Sequence, residues 1–480
     1  MFIGQNGRGR QSSASGRGKV SWATRTVVGK GPHHWQSSAI VKIPRKASPT
    51  LVAVVALVVA GAGACRSQPP DPSTGGALKP VPSATVVAVA PEAGAAAPKE
   101  SASVAIADAQ APAAPEEPLA GTLFTKDVQA AFRVAACAGD DSYIPAGLDR
   151  KMVDTHCGML KSGYDEYKRE WVDVAGPFLA KLRPAGLPKQ VVYPFGGGDL
   201  VTALATFPDA TELTTISLEI AGDLRGITKP DNKRLEKELA TLREHLGKLF
   251  LKAHSRTINL DIETRGAVPG EAAFTLAAMA IHGFEPITYR YFEFNDDGSL
   301  HYLTEADIAK AEKANKTGRG GPFANAEIRF KKNGESQVRV FRHVAYDLSD
   351  ASVKRFPQLM KHLDTKTKVS AMTKAASHLL WDDANFSVIR DWLMGHTDWM
   401  ISDTTGVPPR IAKKHGFEQD VYGQYEYAEP FGTVNNKDMN DFHEKFKGSA
   451  PIAFRYGYPD NKSHGHIVVT HKPGVGGLKP

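Results

Sequence analysis

Residues 190–219, QVVYPFGGGDLVTALATFPDATELTTISLE, constrain the fold more than any other stretch. KQVVYPF reads as a buried strand rich in β-branched and aromatic residues. Three glycines turn the chain, and DLVTALATF continues as a helix. TELTTISLEI is a second strand. A strand, a helix and a strand in so short a span make a βαβ unit, whose two strands lie parallel. Parallel sheets are buried by helices, so the chain around this unit has to alternate strand and helix.

It does so. The stretch 122–186 reads as a helical N-terminal segment, with helices around Lys126–Ala136 and Tyr164–Leu182 broken by Gly139, Pro145, Gly147 and Pro184. Lys233–Ala253 carries Leu235, Leu239, Leu242, Leu246 and Leu249 at helical spacing. Ala272–His282 is a small-residue helix. FEPITYRYFEF and AEIRFKKNGESQVRVFRHVAYDL are strands, the second bent at Asn333-Gly334, a strong hairpin signal. Helix returns at Val353–Leu363. TKVSAMTKAASHLL (367–380) begins β-like and turns helical, ANFSVIRDWLMGH is a helix and DWMISD a strand. IAFRYGY (452–458) and HIVVTHK (466–472) form a closing hairpin over PDNKSHG. The expected class is α/β: a doubly wound, mostly parallel sheet over 187–472 with a C-terminal antiparallel hairpin. Insertions fall near 255–340 and 409–450, and 473–480 is a tail.

This layout is similar to the class I methyltransferase fold, a Rossmann-like domain. There a first strand enters a glycine-rich loop and a second strand ends in an acid that holds the cofactor ribose. The resemblance puts Gly196, Gly197 and Gly198 in the loop, with Asp199 following. Glu219 takes the place of the ribose acid and Asp347 ends the third strand. The fourth-strand motif region falls at Ser370–His378, which includes Lys374, and Asp403 closes the fifth strand. The implied cofactor is S-adenosylmethionine. Tyr193-Pro194-Phe195 stands where the family has an acid, and proline there removes an amide donor. YPFGGGDLVTALATFPDATELTTISLE, KAASHLLWDDANFSVIRDWL and DTTGVPPR also resemble a set of exported bacterial proteins with a YPFSGPD-type stretch. That set implies no activity.

Address separates these readings. Residues 1–46 hold nine of the 59 Lys and Arg and no acid, and residues 47–64 hold no charge. From Cys65 onward 50 bases face 52 acids, so the net charge of +7 belongs to the leader and no nucleic-acid partner is expected. Residues 41–64 read as a signal peptide. Lys42, Arg45 and Lys46 precede the 14-residue apolar run LVAVVALVVAGAGA, too short for a bilayer span of about 20 residues. AGAC resembles a bacterial lipobox, in which Cys65 is lipidated, and an ordinary secretory signal is the alternative. Residues 1–40 do not fit a signal peptide, and the reading frame is expected to start at Val41. After Cys65, residues 66–120 carry 16 Ala and 10 Pro in 55 positions, too few apolar groups to offset chain entropy. They read as a disordered tether, with residues 65–121 linking membrane to domain. The expected location is the cell envelope, lipid-anchored and periplasmic or surface-facing.

Export also bears on the cysteines. Besides Cys65 only Cys137 and Cys157 remain, read either as a disulfide worth about 3 kcal/mol or as two free buried thiols.

Several groups admit a functional and a structural role. The glycine triplet either brings amides to an anion at a helix start or only allows a tight turn. Glu219 is a ribose acid or a surface acid. Lys374 meets an anionic ligand or pairs with Asp347 or Asp403. Asp382, Asp383, His396, Asp398 and Asp403 form a polar group. His464 and His466 have chelating spacing, but no third ligand is fixed by spacing, so no metal site is expected. YRYFEF (289–294) and YGQYEY (422–427) stack a ligand or form half-buried strands. HExxH and GxSxG are absent, so no specific hydrolase signature stands. Two readings remain. One is a lipid-anchored α/β domain that binds a small molecule or envelope component without catalysis and without cofactor. The other is an S-adenosylmethionine-dependent methyltransferase-like enzyme.

Overall fold

The computed structural model describes residues 118–229, 231–252, 268–375, 379–381, 385–425, 437–457 and 465–477. The signal peptide, Cys65, the tether to residue 117, Asp382, Asp383 and His464 lie outside the described residues. The described chain falls within the unit Ala109–Pro480.

Helices α1 (Thr125–Val134), α2 (Arg150–Tyr167) and α3 (Asp173–Leu182) come first. Helix α2 begins well before the expected Tyr164, because the Asp149 carboxylate accepts the amides of Lys151 and Met152 and caps it. A π-helical turn, Lys168–Val172, carries it into α3. A disulfide joins Cys137 to Cys157 with Cα atoms 5.1 Å apart, tying the loop after α1 to α2.

Strand β1 (Gln190–Pro194), helix α4 (Leu200–Thr206) and strand β2 (Glu212–Ser217) form the βαβ unit. The two strands pair in parallel, Gln190 beside Glu212. Next come α5 (Asn232–Lys252), α6 (Gly270–Ile281), β3 (Phe284–Phe294), β4 (Leu300–Tyr302), α7 (Glu305–Lys313), β5 (Asn325–Lys332) and β6 (Val338–Ala345). The remainder is α8 (Asp350–Arg355), α9 (Gln358–Asp364), β7 (Ser370–Thr373), α10 (Ser387–His396), β8 (Trp399–Ser402), α11 (Pro409–Lys414), β9 (Glu418–Gly423), α12 (Lys437–Phe446) and β10 (His466–His471). The single helix expected over 353–363 is two, since Pro357 has no N–H to continue the first.

Among the described residues these strands form one sheet in the order β4-β3-β5-β6-β2-β1-β7-β8-β10-β9. Strands β6, β2, β1, β7 and β8 are parallel. Antiparallel strands flank them on both sides, β5, β3 and β4 on one and β10 and β9 on the other. The sheet is therefore mixed, parallel only in its middle. Alternation along each strand feeds two cores. Val191, Tyr193, Leu213 and Phe341 join one with the leucines of α5; Val192, Ile216 and Val344 join the other with Leu359, Leu363 and Leu393.

The closing antiparallel pair is not the expected one. Strand β10 pairs with β9, which lies in the stretch expected as an insertion near 409–450, and residues 452–457 form no strand. The alternation that suggested one is real, with Ile452, Phe454 and Tyr456 buried. Their partners, however, are helical: Phe454 meets the rings of Trp171 and Phe178, and the Trp171 indole donates to the Arg455 carbonyl. Period-two burial does not require a ladder. No helix among the described residues is long and apolar enough to cross a membrane.

Candidate functional site

In chain order the parallel strands are β1, β2, β6, β7 and β8; in space they lie third, second, first, fourth, fifth. The order reverses between β1 and β7, and in open α/β sheets ligands bind outside the carboxyl ends of the strands at such a point. The residues expected to bind a ligand line this edge, strand by strand. Asp347 lies past the end of β6, Glu219 past β2, Gly196–Asp199 past β1, Lys374 after β7 and Asp403 after β8.

At the reversal the side chains are buried and bonded to one another. Asp199 is 7% exposed and Lys374 4%. The Lys374 ammonium lies 2.7 Å from Asp199 Oδ2 and donates to Thr202 Oγ1 at 2.7 Å. Thr202 in turn donates to Asp199 Oδ1 at 2.7 Å, and the Tyr193 hydroxyl donates to Asp199 Oδ2 at 2.8 Å. The Tyr456 ring faces Lys374 at 5.8 Å, within cation–π range. Burial, then the Asp199 charge, pushes the Tyr193 phenol well above its usual value; burial, then Asp403, does the same to Tyr456. Both stay neutral and act as donors or walls, not bases.

Lys374 thus pairs with neither Asp347 nor Asp403, the partners read from sequence. Asp403 instead ties the end of β8 to that of β7, accepting the Ala375 amide at 2.9 Å and the Thr405 amide at 2.9 Å. A Cβ at Gly457 would meet that of Asp403 at 2.3 Å, so only glycine packs there.

The glycine turn also departs from the anion-loop reading. Helix α4 spans seven residues, and its N-cap is Asp199, a buried carboxylate. That carboxylate makes no hydrogen bond to the helix-start amides and is bonded instead to Tyr193, Thr202 and Lys374. Gly196 is required by packing, since a Cβ would lie 2.7 Å from the Tyr193 ring. Gly197, with φ 47°, is the half-buried member. Just before the turn Phe195 has φ 60°, and just after β7 Ala375 has φ 53°. Left-handed backbone is disfavoured for both residues, and such strain collects at functional sites. Here it stands at adjacent strand ends on either side of the reversal.

Glu219 is half-buried, and its carbonyl accepts from His343 Nε2 at 2.9 Å. Asp347 caps the turn into α8 by accepting the Ser349 amide at 2.9 Å. The rest of the expected polar group disperses. His396 stacks on Trp392 at 4.4 Å, Asp398 pairs with Lys368 at 2.7 Å, and His466 is buried against Thr404 Oγ1 at 3.0 Å. YRYFEF lies within β3, and YGQYEY supplies Tyr422 to β9.

Sequence reading missed Thr202, Tyr456 and the left-handed Ala375. Thr202 left a signal: it stands three residues after Asp199, on the same face of a helix. Tyr456 left none, being far along the chain. No protein-family model matches this chain, and no curated protein or solved structure matches it significantly.

Proposed function

We propose that this chain is an exported lipoprotein, anchored to a cell-envelope membrane through Cys65, whose α/β domain binds a ligand or envelope partner without covalent catalysis. On this reading the domain is a doubly wound sheet, supported by the strand reversal between β1 and β7 and by apolar cores fed from both faces. The observation that carries the proposal is the Asp199–Lys374 pair. Both carboxylate oxygens and the ammonium are bonded within the fold, so no group there is poised as a nucleophile or base. Recognition then falls to the half-buried Gly197, Glu219 and Asp347, outside the locked pair.

One observation favours the methyltransferase-like reading: the strand order, with Glu219 following the second strand beside the glycine turn. Compartment counts against it, because S-adenosylmethionine is made in the cytosol. Calorimetric titration of the full chain with S-adenosylmethionine separates the two. The proposal expects no heat of binding, and binding lost on Glu219→Ala would replace it with the enzyme reading.

A further inference from the structure

The Cys137–Cys157 bridge lies at the margin of the core, not inside it. Both cysteines are half-buried, and the neighbouring residues 139–143 are exposed. An external thiol can therefore approach it.

The two sulfurs stand in different electrostatic surroundings. The Arg133 guanidinium donates from Nη1 to Cys157 Sγ at 3.3 Å. Its other nitrogens face Asp141 at 2.5 Å and Asp154 at 3.9 Å, but these carboxylates are 60% and 68% exposed, and solvent screens them. A second guanidinium, that of Arg243, lies 2.8 Å from Nδ1 of His156, the residue before Cys157. The His156 ring registers the sum of these charges. One of its nitrogens and the two sulfurs lie within 4.8 Å of one another. Burial first, and then the charges of Arg243 and Arg133, hold His156 down to about 4 against the pull of the Ala135 carbonyl. The ring is neutral and the field around it is positive. Cys137 instead follows the carbonyl end of α1, with a left-handed φ of 58°. A thiolate there would lie near the negative end of the helix dipole.

A cation beside a cysteine stabilises its thiolate, and a stabilised thiolate leaves a disulfide faster. We propose that this bridge is a thiol–disulfide exchange site, in which an external dithiol attacks Cys137 Sγ and Cys157 leaves as a thiolate held by Arg133. The attacking thiolate bonds to Cys137 Sγ as the Cys137–Cys157 bond breaks, and the electron pair stays on Cys157. The reductant's second thiol then attacks the reductant sulfur of the mixed disulfide. The reductant departs as a cyclic disulfide, and the proton of that second thiol passes to Cys137. The protein gains two electrons and the dithiol loses two. The exchange unties the loop after α1 from α2. It does not depend on the carboxyl edge at β1 and β7.

Glutathione, a monothiol, should trap the first step. The full chain is treated with glutathione, quenched with iodoacetamide and mapped by mass spectrometry. Chains with glutathione on Cys137 and the alkyl label on Cys157 are expected to outnumber the reverse by at least about tenfold. Arg133→Gln is expected to slow the opening severalfold and reduce that bias, while Arg133→Lys keeps much of it. With Cys137→Ser, the Cys157 thiol should reach half its maximal alkylation rate about one pH unit below the ordinary cysteine value of about 8.5. Adding Arg133→Gln should return it to that value. Equal amounts of the two mixed disulfides, or glutathione mainly on Cys157, would overturn the assignment of the leaving group. A Cys157 thiol with no shift would remove the role of Arg133. A bridge that glutathione opens only in urea would be structural alone and would end the proposal.

Discussion

Lys374 and Asp199 meet at 2.7 Å in the interior, one after β7 and the other after the glycine turn that follows β1. They join the two strands between which the sheet reverses order. Removing one member of such a pair leaves an uncompensated buried charge, which costs about 3–5 kcal/mol. Lys374→Met and Asp199→Asn are each expected to destabilise the fold by that order in urea unfolding. The double variant should recover a large part of the loss. Additive losses would mean that the two groups do not interact in solution.

The left-handed Ala375 makes a second test. Its φ of 53° is disfavoured for alanine by about 1 kcal/mol, a penalty glycine does not carry. Ala375→Gly is expected to leave the fold as stable or raise its stability by about that amount. A clear loss in thermal unfolding would show that the methyl group, not the backbone, is what the site requires.

Among the described residues, four histidines make stability depend on pH. His156, His282, His343 and His362 are each held down to about 4, chiefly by burial. The unfolded chain therefore binds more protons than the folded one between about pH 6.5 and 4. Stability is full above that window and falls as pH drops through it, by up to about 1.4 kcal/mol per pH unit for each histidine. His282→Gln keeps the donor that reaches the Val201 carbonyl and removes the titration. Urea midpoints measured between pH 7 and 5 should fall less steeply for that variant; an equal slope would place the proton uptake elsewhere.

The Cys137–Cys157 bridge closes a loop of 20 residues and is expected to contribute about 3 kcal/mol. Reduction, or the double change Cys137→Ser with Cys157→Ser, should lower thermal stability alike. No shift on reduction would favour the free thiols.

Much of this framework was legible in the sequence. The βαβ unit, the leucine face of α5 and the Asn333-Gly334 hairpin rest on local periodicity and turn chemistry, which one stretch of chain records in full. The residues along the carboxyl edge were placed by the resemblance to the methyltransferase fold, in which each parallel strand ends there. What could not be read depends on distance along the chain. Lys374 pairs with Asp199 because β1 and β7 become neighbours, which no local pattern states. The segment 452–457 alternates like a strand yet packs against Trp171 and Phe178, because burial period reports a buried side, not the nature of its partner. The glycine triplet reads equally as an anion loop or a tight turn, and the inward turn of the Asp199 that follows it depends on a lysine 175 positions away.

The side chains at the ends of β1 and β7 satisfy one another and lock that edge of the sheet. Calorimetric titration of the full chain with S-adenosylmethionine, beside Glu219→Ala and Gly197→Arg, tests this. No heat of binding is expected in any of the three, and binding to the parent chain that both substitutions abolish would make this edge a working cofactor site.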